Sequence, residues 1–164
     1  MKNGLVIADS GPIISLVLAD KLWILDELFD EIKIPKAVWN EITLDESKPF
    51  IFKLKEYFAK KVQEIKGANE LTFVMDYGES ESVILYRESK ANFLLVDDKK
   101  ARKIAENFGI QCIGTIGLLS ISKDRGIIDE LRPIFKTFME NKRFYSPNLL
   151  NLVLESKGEK ILNY

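Results

Sequence analysis

The chain has 164 residues, 46% hydrophobic and 30% charged, with a net charge of −1 at pH 7; this fits one globular domain with a sizeable core and gives no overall basic field toward nucleic acid. Histidine is absent, which excludes Ser-His-Asp and Cys-His catalysis, histidine-based RNA cleavage and ordinary zinc sites. A single cysteine forbids an internal disulfide, and no apolar run nears the roughly 20 residues of a membrane span, so the expectation is a cytoplasmic protein that does not enter a membrane.

In chain order, Leu5 to Ala8 is a short apolar run ending in Asp-Ser-Gly-Pro, which predicts a buried parallel strand opening into a helix. Pro12 suits the first turn of that helix, and Ile13, Ile14, Leu16, Val17 and Leu18 give it a broad apolar surface. A second helix is predicted over Leu22 to Phe29. Glu31 to Ile34 reads as a strand stopped by Pro35, and Lys36 to Ile42 and Phe50 to Lys60 as helices. Val62 to Ile65 reads as a brief strand. The polar stretch Lys66 to Gly78 reads as a loop, and Glu79 to Ser89 as a helix.

Phe93 to Val96 predicts another buried strand, followed by a helix from Lys99 to Phe108 that Gly109 caps. Gln111 to Ile113 makes the next strand, with Cys112 as a small buried hydrophobe. Ile116 to Lys123, Asp129 to Asn141 and Pro147 to Ser156 complete the chain as helices. Strands alternating with helices predict an α/β fold: a single domain whose central parallel sheet is flanked by helices on both faces.

In such sheets, ligands bind beyond the carboxyl ends of the strands. Asp9 directly follows the first strand run, and Asp97 and Asp98 follow the run Phe93 to Val96. Each aspartate alone reads first as a helix N-cap; two such strand ends in one parallel sheet bring their acids to the same rim. Glu41 turns away from the apolar face of its helix, and Glu79 and Glu81 stand at a helix start. Carboxylates suit Mg²⁺ or Mn²⁺, and Mg²⁺ takes about six oxygens. Lys99, Lys100, Arg102 and Lys103 crowd beside Asp97 and Asp98, and Lys142 with Arg143 forms a second basic spot.

The order of these motifs resembles the PIN-domain nucleases. Ile7-Ala8-Asp9-Ser10, Val38-Trp39-Asn40-Glu41, Gly78-Glu79-Ser80-Glu81, Leu95-Val96-Asp97-Asp98 and the closing Gly114-Thr115-Ile116-Gly117-Leu118-Leu119 carry the resemblance over roughly residues 4 to 125. It implies a PIN-like nuclease domain over 1–125, with 126–164 as a helical C-terminal extension packed on the same domain or on a partner. It further implies a Mg²⁺- or Mn²⁺-dependent endoribonuclease, similar to the VapC-type toxins of prokaryotic toxin–antitoxin pairs. Asp9, Glu41, Glu81 and Asp98 are the implied catalytic acids, and Asp9, Glu41, Glu79, Glu81, Asp97 and Asp98 the implied metal ligands. Val96 stands where those toxins often carry Thr or Ser.

On this reading, RNA phosphodiesters are hydrolysed with metal assistance. Ser10 and Thr115 orient water or a phosphate oxygen, and Lys99, Lys100 and Arg102 position the backbone. Tyr77 and Tyr86 are rim or buried tyrosines before they are base-stacking ones. The alternative is a catalytically inactive PIN-like module that binds a protein, for which Leu149, Leu150, Leu152, Val153 and Leu154 offer an apolar helix surface. The expected partners are RNA, an antitoxin protein and a second copy of the chain in a homodimer. A phosphoryl-transfer enzyme with Asp9 as nucleophile needs a second aspartate that Asp9-Ser10-Gly11 does not supply.

Overall fold

The structure is a computed structural model and describes residues 2–164. Five short strands, β1 (Leu5–Ala8), β2 (Glu31–Pro35), β3 (Val62–Gln63), β4 (Phe93–Leu95) and β5 (Cys112–Ile113), form one sheet in the order β3-β2-β1-β4-β5. All four pairings are parallel, with Val6 between Ile32 and Phe93. The chain leaves β1 toward β2 and β3, then returns to β1's other side with β4. The β1/β4 junction is therefore the place where the winding reverses, and both strands end there on the same rim.

Alternation along β1 assigns the two faces. Val6 and Ala8 join a large core with Leu16, Val38, Phe58 and Leu118, whereas Ile7 joins a smaller one with Val83, Leu94, Val96 and Ala101. Helices α1 (Ser10–Leu18), α2 (Ile24–Leu28), α3 (Lys36–Thr43), α4 (Ile51–Phe58) and α7 (Thr115–Asp124) supply the first core; α5 (Tyr77–Ser89) and α6 (Lys99–Asn107) supply the second. Val96, which offers no hydroxyl, is buried in the second core. Gly109, at φ +78°, ends α6 in the left-handed region, as the sequence predicted for it.

The expected C-terminal extension forms α8 (Arg132–Glu140) and α9 (Pro147–Ser156). Phe135, Phe138, Leu150 and Leu154 are fully buried in the same core as α1 and α7. Each such side chain stabilises by about 1.5–3 kcal/mol on burial, so this segment holds the sheet's first face closed. Of the α9 apolar surface, Leu149 and Leu152 stay exposed. No helix of the described residues is long and apolar enough to cross a membrane.

The stretch before α5 differs from the sequence reading, α8 begins at Arg132 rather than Asp129, and Cys112 is half-buried rather than buried. The segment expected as a loop through Gly78 contains a 3-10 turn at Glu70–Phe73, and α5 already begins at Tyr77. Asp76 caps it, accepting from the Glu79 amide at 2.8 Å.

Candidate metal centre

Beyond the ends of β1 and β4 lies a cavity of about 510 Å³, lined by six carboxylates: Asp9, Glu41, Asp76, Glu79, Asp97 and Asp98. Asp9 enters from the end of β1, where its amide still donates to Leu95 O at 2.9 Å. It stands at the N-cap position of α1 yet its side chain caps nothing. It is 6% exposed, and its Oδ1 is buried with no hydrogen-bond partner. Burial pushes its carboxyl up to about 8; the Ser10 amide opposes this, while the charges of Glu79, Glu41 and Asp76 add to it.

Glu41 arrives from α3 and accepts from the Ser10 hydroxyl at 2.9 Å. Its carboxyl is raised by burial, lowered by that hydrogen bond and raised again by Asp76. Glu79, in the first turn of α5, is pushed up to about 7 by burial and then by Asp76 and Asp98, against the Asp76 amide. Asp98 caps α6 through the Ala101 amide at 2.8 Å and also lines the cavity. Gly78 permits the convergence: a Cβ there would stand 2.7 Å from Glu41 Oε2 and 3.7 Å from Asp9 Oδ1.

Two anticipated residues are engaged elsewhere. Glu81, expected among the catalytic acids and metal ligands, is 5% exposed and turns to the start of α3, accepting from the Ala37 amide at 3.1 Å. The reason is geometric: helical positions two apart point roughly 200° from each other, so Glu79 and Glu81 cannot share a face. Thr115, expected to orient water, donates its hydroxyl and its amide to Asp97, each at 2.7 Å. Asp97 also accepts from Tyr145 at 2.6 Å, so this aspartate ties β4, α7 and the α8–α9 connection together at the cavity wall. Burial, and then Asp97, raise the Tyr145 phenol well above its ordinary range.

Ser10 lines the cavity as anticipated, whereas Lys99, Lys100 and Arg102 flank it. Arg102 pairs with Glu106 at 3.0 Å. The residue that sequence reasoning missed is Asp76. Its signal was an acid three positions before Glu79, the spacing of a reciprocal helix cap, hidden by placing the helix start too late.

The geometry matches what comparison finds. A family model named DUF3368 and described as a PIN domain covers residues 5–159. The chain belongs to this PIN-domain family. Its nuclease-like fold agrees with acids gathered at the β1/β4 junction; no curated protein matches the chain. Among the described residues of this PIN domain, no three carboxylates or thiols already touch as an ion-holding group. The donors present nevertheless fit a divalent cation. They are all oxygens, and one of them, Asp9 Oδ1, is buried without any partner. Buried polar atoms are nearly always satisfied, and a cation is what would satisfy this one and relieve the acids' mutual repulsion.

Proposed function

We propose that this PIN domain is a Mg²⁺- or Mn²⁺-dependent endoribonuclease that hydrolyses RNA phosphodiester bonds. The observation that carries the proposal is Asp9: a buried carboxylate at the sheet's switch point, with an orphaned oxygen, surrounded by Glu41, Asp76 and Glu79. Asp9, Glu41, Glu79 and Asp98 would hold the ion, with Asp76 adding negative charge beside them. A bound divalent ion supplies a water of lowered pKa and neutralises charge developing on the phosphate. Ser10 fixes one oxygen of Glu41 and so limits how that carboxylate can turn. Asp9 offers its oxygen from a rigid strand end rather than a loop, which keeps the geometry constant between turnovers.

The same family resemblance supports a toxin of a toxin–antitoxin pair acting as a homodimer, with Leu149 and Leu152 of α9 as apolar surface open to either contact. The test is melting and cleavage on wild type and Asp9→Asn. Millimolar Mn²⁺ at about 100 times its Kd stabilises the folded state by about 2.7 kcal/mol, a rise of about 5–10 °C for a domain this size. Wild type should show that rise and cut single-stranded RNA only with the ion; Asp9→Asn should show neither. An Asp9→Asn protein that cuts as fast as wild type would sink the assignment. No ion effect and no cleavage in wild type would leave a protein-binding module.

A further inference from the structure

The cavity has one cationic side chain in its lining, Arg143, and it comes from the α8–α9 connection. Its Nε donates to Ser15 Oγ and its Nη2 to the Gly11 carbonyl, both at 2.9 Å. Both acceptors are neutral. No ion pair joins it to any acid of the cavity among the described residues. A guanidinium carries five N–H donors in a planar fork, so Arg143, engaged by two neutral acceptors, has spare donors beside a cavity of carboxylates.

The next residue, Phe144, is 96% exposed. A single exposed aromatic is ordinary on a protein surface; its placement is what makes this one informative. Phe144 lies between the acidic cavity and an adjoining groove that includes Lys99 and Arg102. Both neighbours in sequence are pinned. Arg143 donates to Ser15, the Ser15 and Tyr145 hydroxyls are 2.7 Å apart, and Tyr145 donates to Asp97 at 2.6 Å. With the Tyr145 proton on Asp97, Ser15 is the donor to Tyr145, so the relay runs in one direction from Arg143 to the cavity wall. The backbone carrying Phe144 is thereby fastened to α1 and to the end of β4, while its ring faces solvent.

We propose that the α8–α9 connection is the grip on a single-stranded RNA: the Phe144 ring stacks on one base, and Arg143 donates to a phosphate beside the one that is cut. The inference rests on the nuclease reading and names the residues that would hold its substrate. A strand crossing from the acidic cavity toward Lys99 and Arg102 passes over Phe144. Only an unpaired base has a free face to offer that ring, because duplex bases are already stacked on one another.

The experiment measures cleavage of a random-sequence single-stranded oligoribonucleotide, and of the same RNA annealed to its complement, with Mn²⁺ present. Phe144→Ala should raise KM on the single strand about tenfold, within the range that base–aromatic stacking gives, with kcat within about twofold of wild type. Phe144→Trp should restore KM, and its added fluorescence should be quenched when RNA binds. Arg143→Gln should weaken binding and lower the salt slope by about one. Duplex RNA should be a poor substrate for all. Wild-type KM in Phe144→Ala, with cleavage intact, overturns the grip and leaves the nuclease reading standing. A change in oligomeric mass with KM unmoved overturns it in favour of a protein contact. Absence of cleavage by wild type with either ion removes the nuclease reading and the grip together.

Discussion

Asp9 and Asp98 are the same residue type in the same kind of place, just beyond a strand of one parallel sheet, and they do different work. Asp98 satisfies the Ala101 amide; Asp9 sits at a cap position, makes no cap hydrogen bond and leaves its Oδ1 without a partner. The contrast between Glu79 and Glu81 is sharper, because they belong to one helix turn. Glu79 shares the cavity with Asp9, whereas Glu81 accepts from Ala37. Removing Glu81 leaves a buried amide without its acceptor, which costs about 1–3 kcal/mol. Glu81→Ala should therefore lower the melting temperature and keep the Mn²⁺-induced rise. Glu79→Ala should do the reverse: little loss of metal-free stability, and a smaller rise with the ion. Melting both variants with and without Mn²⁺ checks this, and a Glu81→Ala protein of normal stability that no longer responds to the ion would return Glu81 to the site.

Two helices begin at residues unable to cap them, and a distant glutamate does it instead. Pro35 precedes α3 and Leu131 precedes α8, neither with a side-chain acceptor. Glu81 serves α3 from 44 positions away; Glu159 serves α8 from 28, accepting from Leu131 at 2.9 Å, from Arg132 at 3.1 Å and from Lys123 Nζ at 2.6 Å. These bonds hold the Glu159 carboxyl below its ordinary range against the opposing effect of burial. The bonds from backbone amides are charge-assisted and lie at a helix start, where negative charge is favoured. Glu159→Ala should destabilise the protein by about 1–3 kcal/mol without altering the ion-induced rise, as chemical denaturation with and without Mn²⁺ would read; an unchanged midpoint would mean that α8 is held by packing alone. Such long-range caps also mark what the sequence could express. Local signals gave the order of strands and helices, the α/β class, and Asp9, Asp97 and Asp98 just beyond strand ends, whereas Glu41 entered the site only with the family resemblance. They could not say which of Glu79 and Glu81 faces the cavity, because the helix start at Tyr77 depends on a cap by Asp76 inside a polar stretch. Nor could they show that Thr115 and Tyr145 are committed to Asp97, which joins residues 18 and 48 positions apart.

Across the whole molecule, the acid cavity works against the stability of the ion-free fold. Asp9 is raised from 3.8 to about 8 and Glu79 from 4.5 to about 7. Between pH 4 and pH 8 the folded protein therefore binds more protons at these two groups than the unfolded chain does. Stability then falls as pH rises through that window, since its slope follows protons bound unfolded minus folded. The sign is opposite for Glu159, whose lowered carboxyl adds stability that is lost only as pH falls through the acid range. A divalent ion requires the ionised acids, so its binding releases protons and gains strength over the same window in which the ion-free fold weakens. The expected outcome is a melting temperature that declines from pH 5 to pH 8.5 in chelator, and an Mn²⁺-induced rise that grows across that range. Asp9→Asn removes the largest proton-linked group, so its ion-free melting temperature should depend less on pH and exceed wild type near pH 8. Parallel slopes for wild type and variant would show that Asp9 is already ionised at neutral pH and that burial does not hold its carboxyl above the ordinary range.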